Sequence, residues 1–159
     1  AGDRVHVMQE GRLIQSGPPD ALYKHPANEF VANFFGPIVR FDAKMRGGLA
    51  WTPLGMIAAP MHDDGTPVSV VFRAEALELR PDYNGTGHAG QVVACRRMGP
   101  ACDLSIRLET GSTIVVRKPI ETPHHIGMRM GIDIDQRYTF VFAKPGNAAN
   151  SSAEAARAA

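Results

Sequence analysis

From residue 37 to residue 143 the sequence is a succession of short segments in which apolar and polar residues alternate, separated by turn-forming residues. In CDLSIRL, for example, Leu104, Ile106 and Leu108 alternate with polar side chains, which is the pattern of a half-buried strand. Residues 109–112 turn this strand into STIVVRK, and residues 133–136 join GIDI to YTFVF at a predicted hairpin end. About six or seven short strands at this spacing favour a small closed barrel or sandwich over an α/β fold.

The first 36 residues follow a different pattern. RVHVMQEGRLIQSG predicts a hairpin with Gly11 in its tight turn, and PDALYK predicts a short helix with proline in its first turn. A second helix, in ANEFVANFFG, carries an apolar stripe that includes Phe30, Phe34 and Phe35 and ends at Gly36. Two partners could cover that stripe: an upstream neighbour that the chain lacks, or the β segment that follows.

Charge and cysteine content narrow the classes of function. The 17 basic and 16 acidic residues give a net charge of +1, so no global attraction to nucleic acid or to acidic partners is expected. Cys95 and Cys102 flank a predicted turn and could face each other across a hairpin. Without a secretion signal, two reduced thiols are expected rather than a disulfide.

No motif for catalysis, nucleotide binding or metal binding occurs in the sequence context that its function requires. No P-loop is present, and the G-x-G-x-x-G of Gly85, Gly87 and Gly90 precedes a strand pattern instead of a helix. The adjacent His124 and His125 should point in opposite directions from a solvated loop, so one metal ion would not collect both. Asp133 and Asp135 are interpreted as solvated acids at a turn. No catalytic, nucleotide-binding or metal-binding residue is therefore predicted.

One polar set could bind a ligand. Arginine and lysine side chains recur on three successive predicted strands, and guanidinium groups gathered on a small barrel can bind an oxyanion bidentately. The candidate anion-binding residues are Arg97, Arg107, Arg117 and Lys118. Alternation also places such residues on the water side of a half-buried sheet, which is the alternative interpretation. Binding of nucleic acid by an OB-type barrel is a further alternative, but the aromatics are scattered along a neutral chain, so no nucleic-acid partner is expected.

The stretch DRVHVMQEGRLIQSGPPDALYKHPANEFVANFFG resembles the segment that follows the switch histidine in the ATPase subunits of ATP-binding cassette (ABC) importers. That family typically has D-R-V-x-V-M-x-x-G-x-[IL]-x-Q-x-G-x-P-x-x-[IL]-Y-x-x-P-x-x-x-F-V-A-x-F-x-G. The positions that fit include Asp3, Arg4, Val5, Met8, Gly11, Gln15, Gly17, Pro19, Tyr23, Pro26, Phe30, Phe34 and Gly36. The resemblance implies that these residues are the end of a nucleotide-binding domain.

The rest of the chain resembles the C-terminal regulatory extension of the same family, the transport-associated OB (TOBE) domain. VVFRAEALELRP is similar to the family's V-R-P-E-x-[IL]-x-[IL] stretch, and GQVVACRRMGPACDLSIRLETGSTIVVRK resembles its next glycine-punctuated strands. The expected fold is mainly β, a small OB-like antiparallel barrel preceded by a short hairpin and two short helices. The expected domains are residues 1–36 (nucleotide-binding-domain remnant), 37–145 (TOBE-like barrel) and 146–159 (disordered tail).

The resemblance also implies a function. The chain is expected to be a non-catalytic regulatory and dimerisation region of the ATP-binding subunit of a solute importer, cytoplasmic and peripheral at the inner face of the membrane. It would pair with a second ATPase subunit, and the missing upstream domain would contact the permease and bind ATP and Mg²⁺. No cofactor is expected in these residues. A small oxyanion-binding sensor of the same transporter is the alternative.

Overall fold

The computed structural model describes residues 2–145, in which every paired strand is antiparallel. The predicted disordered tail, residues 146–159, lies outside the described residues. The elements of the N-terminal segment are β1 (Val5–Gln9), β2 (Arg12–Gly17), α1 (Pro19–Lys24) and α2 (Glu29–Phe34). The elements that follow are β3 (Ile38–Arg46), β4 (Leu49–Thr52), β5 (Gly55–Ala58), β6 (Pro67–Arg73), β7 (Leu77–Arg80), β8 (Ala89–Met98), β9 (Ala101–Leu108), β10 (Thr113–Pro119), β11 (Arg129–Ile134) and β12 (Thr139–Ala143).

The N-terminal segment has the hairpin and the two helices that its sequence predicts. Glu10 and Gly11 form the β1–β2 turn with φ of 50° and 75°, and positive φ at both central residues is the requirement of a type I′ turn. Pro19 begins α1, where its missing N–H has no helical partner to lose. The side chain of Asn28 caps α2 by accepting a hydrogen bond from the Val31 N–H at 3.0 Å.

The remaining strands form two five-stranded sheets. One has the order β10-β9-β8-β11-β7 and the other the order β12-β6-β3-β4-β5. Their inner faces share one apolar core, to which the first sheet contributes Leu104, Ile106 and Met130 and the second contributes Val70 and Phe72, all fully buried. The prediction of a mainly β, OB-like architecture is confirmed.

The sequence pattern underestimated the number of strands and misplaced one connection. Ten strands follow residue 37 instead of six or seven, because β4 and β7 have only four residues each and lie directly beside turns. The predicted hairpin of GIDI with YTFVF is wrong: β11 pairs with β7 and β8, whereas β12 pairs with β6. A 3₁₀ turn at Gln136–Tyr138 carries the chain from one sheet to the other.

The two helices of the described residues have six residues each, and neither is long and apolar enough to cross a membrane.

The strands pack so closely at Gly90 that no larger residue fits there. This packing explains why a glycine occupies the position, although the dinucleotide-binding motif that its spacing suggests is not present. A Cβ atom on Gly90 would lie 2.4 Å from Ile106 Cγ2 and 2.9 Å from the Arg107 carbonyl oxygen.

We expect Gly90→Ala to lower the free energy of unfolding by about 1–3 kcal/mol, the usual cost of forcing a side chain into a filled core. Urea denaturation measures the change. The control Ala94→Ser, at an exposed position of the same strand, should stay within about 0.5 kcal/mol of wild type, and equal effects of both variants would contradict the argument.

Candidate functional site

A buried arginine joins the N-terminal segment to the two sheets. Arg73, the last residue of β6, is 2% exposed. Its guanidinium donates to the carbonyl oxygen of Ala32 in α2 at 2.8 Å and to that of Tyr23 in α1 at 2.9 Å. Because a buried cation must keep hydrogen-bond partners, these two carbonyls fix both helices against the end of β6.

Aromatic rings complete the surroundings of this guanidinium. The Arg73 Cζ lies 4.2 Å from the centroid of the Tyr23 ring and 5.4 Å from that of Phe140, distances at which a cation is attracted to a ring face. Burial lowers the pKa of Arg73, but a group whose ordinary pKa is above about 12 stays charged. Burial and the neighbouring Glu75 carboxylate raise the pKa of Tyr23 to about 12. Tyr23 is therefore a neutral phenol at physiological pH.

A second polar contact holds α2 against the same sheet. The Glu29 carboxylate accepts a hydrogen bond from the Ser69 hydroxyl at 2.9 Å and pairs with Arg40 Nε at 2.6 Å. Ser69 on β6 is buried, whereas Arg40 on β3 is exposed. We call these contacts of Glu29 and Arg73 the junction between the N-terminal segment and the barrel.

Only part of the predicted phenylalanine stripe of α2 is covered. Val31 and Ala32 are fully buried, and Phe35 packs edge-on against Tyr23 with a centroid separation of 6.0 Å. Phe30 and Phe34 stay 38% and 60% exposed. Val31 forms an apolar cluster with Val7 and Leu22, and Phe35 packs against that cluster. The buried side of the stripe is therefore covered by the hairpin and α1 of the N-terminal segment itself, which is neither of the two expected partners.

Beside the junction lies a cleft of about 580 Å³, between the N-terminal segment and the ends of β9 and β10. It is lined by Tyr23, Phe35, Gly36, Pro37, Arg73, Ala74, Glu75, Pro100, Ala101, Arg117, Lys118 and Pro119. Two of the four candidate anion-binding residues, Arg117 and Lys118, reach this cleft and meet Arg73 there. Arg73 is a third cation of the cleft and lies outside the cationic set that strand alternation predicted.

Both predicted cations of the cleft already have partners. Arg117 makes two hydrogen bonds to the Asp103 carboxylate, of 2.7 and 3.0 Å, and this pairing holds the pKa of Asp103 below its usual range. The Lys118 ammonium donates to the Ala74 carbonyl oxygen at 2.8 Å, and burial lowers its pKa. Glu75 adds a carboxylate to the same cleft. The positive charge of the cleft is thus largely compensated.

The other two candidates lie elsewhere. In the strand register, Arg97 of β8 and Lys118 of β10 both lie opposite the buried Cys102 of β9, so these three residues are on one face of the sheet. Arg117 lies opposite Asp103, on the other face. Arg107 is exposed and pairs with Gln91 and Thr113, four residues along the strand from Asp103. The four residues are therefore divided between two faces and do not surround one point.

The paired acids and the paired histidines of the sequence do not form common sites either. Asp133 pairs with Arg80 at 2.5 Å, and Asp135 caps the 3₁₀ turn while pairing with Arg137 at 2.7 Å. His125 is exposed in the β10–β11 connection, as a solvated loop predicts, whereas His124 is half-buried. The expectation that both histidines are solvated is wrong for His124, whose ring lies against the Cys95 thiol.

Arg73 connects the N-terminal helices to the barrel, and the sequence pattern did not predict this role. Its signal in the sequence is its position. An arginine ends the strand PVSVVFR, in which Ser69 is the only other polar residue and no apolar–polar alternation marks a side for solvent. Both faces of β6 are buried, so an arginine at its end needs partners from another segment. Which carbonyls supply them depends on the packing of helices more than 40 residues away.

Comparisons with known proteins give the family. Residues 63–142 match the model of the TOBE domain. The chain is 30% identical over 137 residues to the Fe(3+) ions import ATP-binding protein FbpC of Yersinia pseudotuberculosis and 36% identical over 137 residues to FbpC 1 of Rhodococcus jostii. Each alignment covers 83% of this chain and 39% of the relative.

Two further similarities agree with this result. The chain is 32% identical over 138 residues to the spermidine/putrescine import ATP-binding protein PotA of Pseudomonas fluorescens, covering 81% of this chain and 37% of the relative. The chain thus spans about two fifths of the length of these relatives. A solved structure of the cytoplasmic molybdate-binding protein ModG superposes with a TM-score of 0.53 and 13% identity, covering 67% of this chain and 96% of that one. At this identity the likeness shows the fold alone.

The junction makes a quantitative prediction. Arg73→Met keeps the apolar stem but leaves the carbonyls of Tyr23 and Ala32 without their donor, so we expect the free energy of unfolding to fall by about 2–4 kcal/mol. Amides of α1 and α2 should exchange their hydrogens faster, because local opening of this segment becomes less costly. Urea denaturation and hydrogen exchange measure the two effects.

The matched control for that variant is Arg40→Met, the same substitution at an exposed arginine of the same junction. It should cost less than about 1 kcal/mol, as exposed ion pairs usually do. If Arg73→Met were no more destabilising than Arg40→Met, the junction would not depend on the buried guanidinium.

Proposed function

The chain belongs to the TOBE domain family, and we propose that it is the C-terminal part of the ATP-binding subunit of an ABC importer, with its barrel acting in dimerisation and regulation. The observation that supports this best is the junction, in which the Arg73 guanidinium is bound by main-chain oxygens of both N-terminal helices. A barrel with a regulatory role needs a firm attachment to the body that it regulates. A buried, multiply bonded arginine supplies one, whereas a flexible linker does not.

In this proposal residues 1–36 end the nucleotide-binding domain and residues 37–145 form the regulatory barrel. ATP hydrolysis would belong to the part of the subunit upstream of these residues, together with its ATP, Mg²⁺ and contact with the permease. The assembled subunit would work at the cytoplasmic side of the membrane. Phe30 and Phe34, which are exposed on α2, would then pack against the upstream ATPase body.

The proposal also assigns a surface for dimerisation. Trp51 on β4 and Met56 on β5 are direct cross-strand partners and are 62% and 49% exposed. They lie at the end of the β12-β6-β3-β4-β5 sheet, where β5 is the last strand. An exposed aromatic and a methionine side by side give a contact surface that two copies can share, and pairing of barrels keeps two ATPase bodies at high effective concentration.

We expect the purified chain to dimerise through the barrel. Light scattering at several concentrations should give twice the mass of the chain for wild type and for Phe30→Ser/Phe34→Ser. It should give the mass of one chain for Trp51→Ser/Met56→Ser, because that variant removes the apolar surface of the β4–β5 hairpin. The two double variants are matched in number and in chemistry.

The opposite pattern would overturn the dimerisation role. If the phenylalanine variant became monomeric while the Trp51/Met56 variant stayed dimeric, association would come from the helix surface that the upstream body should cover. A monomeric wild-type chain at all concentrations would likewise remove the barrel contact.

An oxyanion sensor is the second candidate, and one observation favours it. Arg73, Arg117 and Lys118 all line the cleft, and the buried Arg73 Nε has no hydrogen-bond acceptor among residues 2–145. An oxyanion such as molybdate, the ligand of the ModG protein whose fold is similar, could accept from it. Against this candidate stand the partners that Arg117 and Lys118 already have.

Thermal unfolding separates the two candidates. A sensor should gain several degrees in Tm when molybdate or sulfate is present at about 100 times its Kd, and Lys118→Met should abolish the gain. Arg107→Met, which changes an exposed cation outside the cleft, is the control and should keep it. The dimerisation proposal expects no anion-dependent shift in any of the three proteins.

A further inference from the structure

Three side chains that commonly bind metals meet at one place outside the cleft. Cys95 lies on β8, Cys102 on β9 and His124 in the connection between β10 and β11. One ligand atom from each residue lies within 4.8 Å of the other two, and the Cys95 Sγ is 3.2 Å from the His124 Nε2. Neither cysteine is in a disulfide.

The β8–β9 register explains how the two sulfur atoms approach each other. Cys102 lies opposite Arg97, and Cys95 lies two positions from Arg97 on the same face of β8. The cysteines are therefore diagonal neighbours, and the Cα atoms of such pairs are about 7–8 Å apart. A disulfide needs Cα atoms closer than about 7 Å, so this arrangement suits a bridging ion better than a direct S–S bond.

His124 is held in the orientation and tautomer that a metal ligand requires. Its Nδ1 is 2.6 Å from the Thr122 carbonyl oxygen. A carbonyl can only accept, so the proton lies on Nδ1 and the lone pair of the neutral ring lies on Nε2, the atom next to Cys95. Metal-binding histidines usually have such a partner on their second nitrogen, because it fixes the ring and raises its basicity.

Burial and charge agree with a bound dication. Cys102 is fully buried, while Cys95 and His124 are half-buried, so an ion can enter from the solvent side and meet a protected inner ligand. Two thiolates neutralise a 2+ charge, which removes most of the cost of holding the ion in a partly apolar place.

We propose that Cys95, Cys102 and His124 bind a zinc ion, with water completing the coordination. Thiolate and imidazole ligands select zinc over magnesium or calcium, and two cysteines with one histidine form a known three-ligand zinc set with one open position. With Zn–S of about 2.3 Å and Zn–N of about 2.0 Å, tetrahedral ligand atoms lie about 3.5–3.8 Å apart. The longest separation in the cluster must therefore shorten by about 1 Å at most, and the 3.2 Å separation of Cys95 Sγ from His124 Nε2 must lengthen by about 0.3 Å. Binding releases the two thiol protons, and the ion ties the β10–β11 connection to the β8–β9 hairpin. This proposal does not depend on the proposed function.

Cobalt(II) is the probe, because it occupies zinc sites and reports thiolate ligands by a charge-transfer absorption. Titration of the reduced full chain should show one Co²⁺ per chain with that absorption, and one equivalent of Zn²⁺ should remove it. Thiol titration of the folded protein should find the half-buried Cys95 reactive without metal and protected with zinc, because a coordinated thiolate is no longer free to react. Zinc should also raise the Tm of the chain.

Variants identify the ligands. His124→Asn and Cys95→Ser change half-buried side chains and should each weaken zinc binding more than about 100-fold, beyond the effect of losing an outer-shell partner. Cys102→Ala tests the buried ligand, and the first two variants keep the test valid if that substitution disturbs the fold. His125→Ala, an exposed neighbour, is the control and should bind as wild type does.

Three outcomes would overturn the proposal. The first is cobalt binding without thiolate charge transfer, and the second is equal loss of affinity in His124→Asn and His125→Ala. The third is a Cys95–Cys102 disulfide, detected by mass spectrometry, that forms in zinc-loaded protein as readily as in metal-free protein.

Discussion

The orientation of the N-terminal segment depends on one buried guanidinium. Arg73 ends a strand whose two faces are both covered, and its side chain is almost entirely removed from water. Its hydrogen bonds to the carbonyls of Tyr23 and Ala32 are therefore obligatory, and they determine where α1 and α2 lie. The Glu29–Ser69 hydrogen bond and the packing of Phe35 on Tyr23 hold the same two helices in the same place.

Local chemistry was enough to predict most of the elements. The positive φ of the Glu10–Gly11 turn, the proline at the start of α1 and the alternation in β9 each specify their structure within a few residues. The errors occurred where the outcome depends on distant partners. β7 and β4 are too short for a period to be recognised, and the acidic turn after β11 looks the same whether the next strand pairs with β11 or crosses to the other sheet.

The candidate site was less predictable for the same reason. Alternation indicated that Arg107 and Arg117 would lie away from the core, but not that Arg117 would find Asp103, because this pairing follows from the register of β9 with β10. It gave no sign that Arg73 would join Arg117 and Lys118 beside one cleft. Likewise, the sequence treats His124 and His125 as equivalent neighbours. Only the three-dimensional path of the β10–β11 connection brings one of them to Cys95 and leaves the other in solvent.

The partners of Arg73 are main-chain oxygens, and every amino acid carries one. Substitution at positions 23 and 32 can therefore change the helix surface while the acceptors remain, provided that the helices persist. Other contacts of the attachment do require particular side chains, since the Tyr23 ring faces the Arg73 guanidinium and the Glu29 carboxylate contacts Ser69 and Arg40. The main-chain part of this attachment therefore tolerates changes of side chain that its ion pair and its cation–ring contact do not.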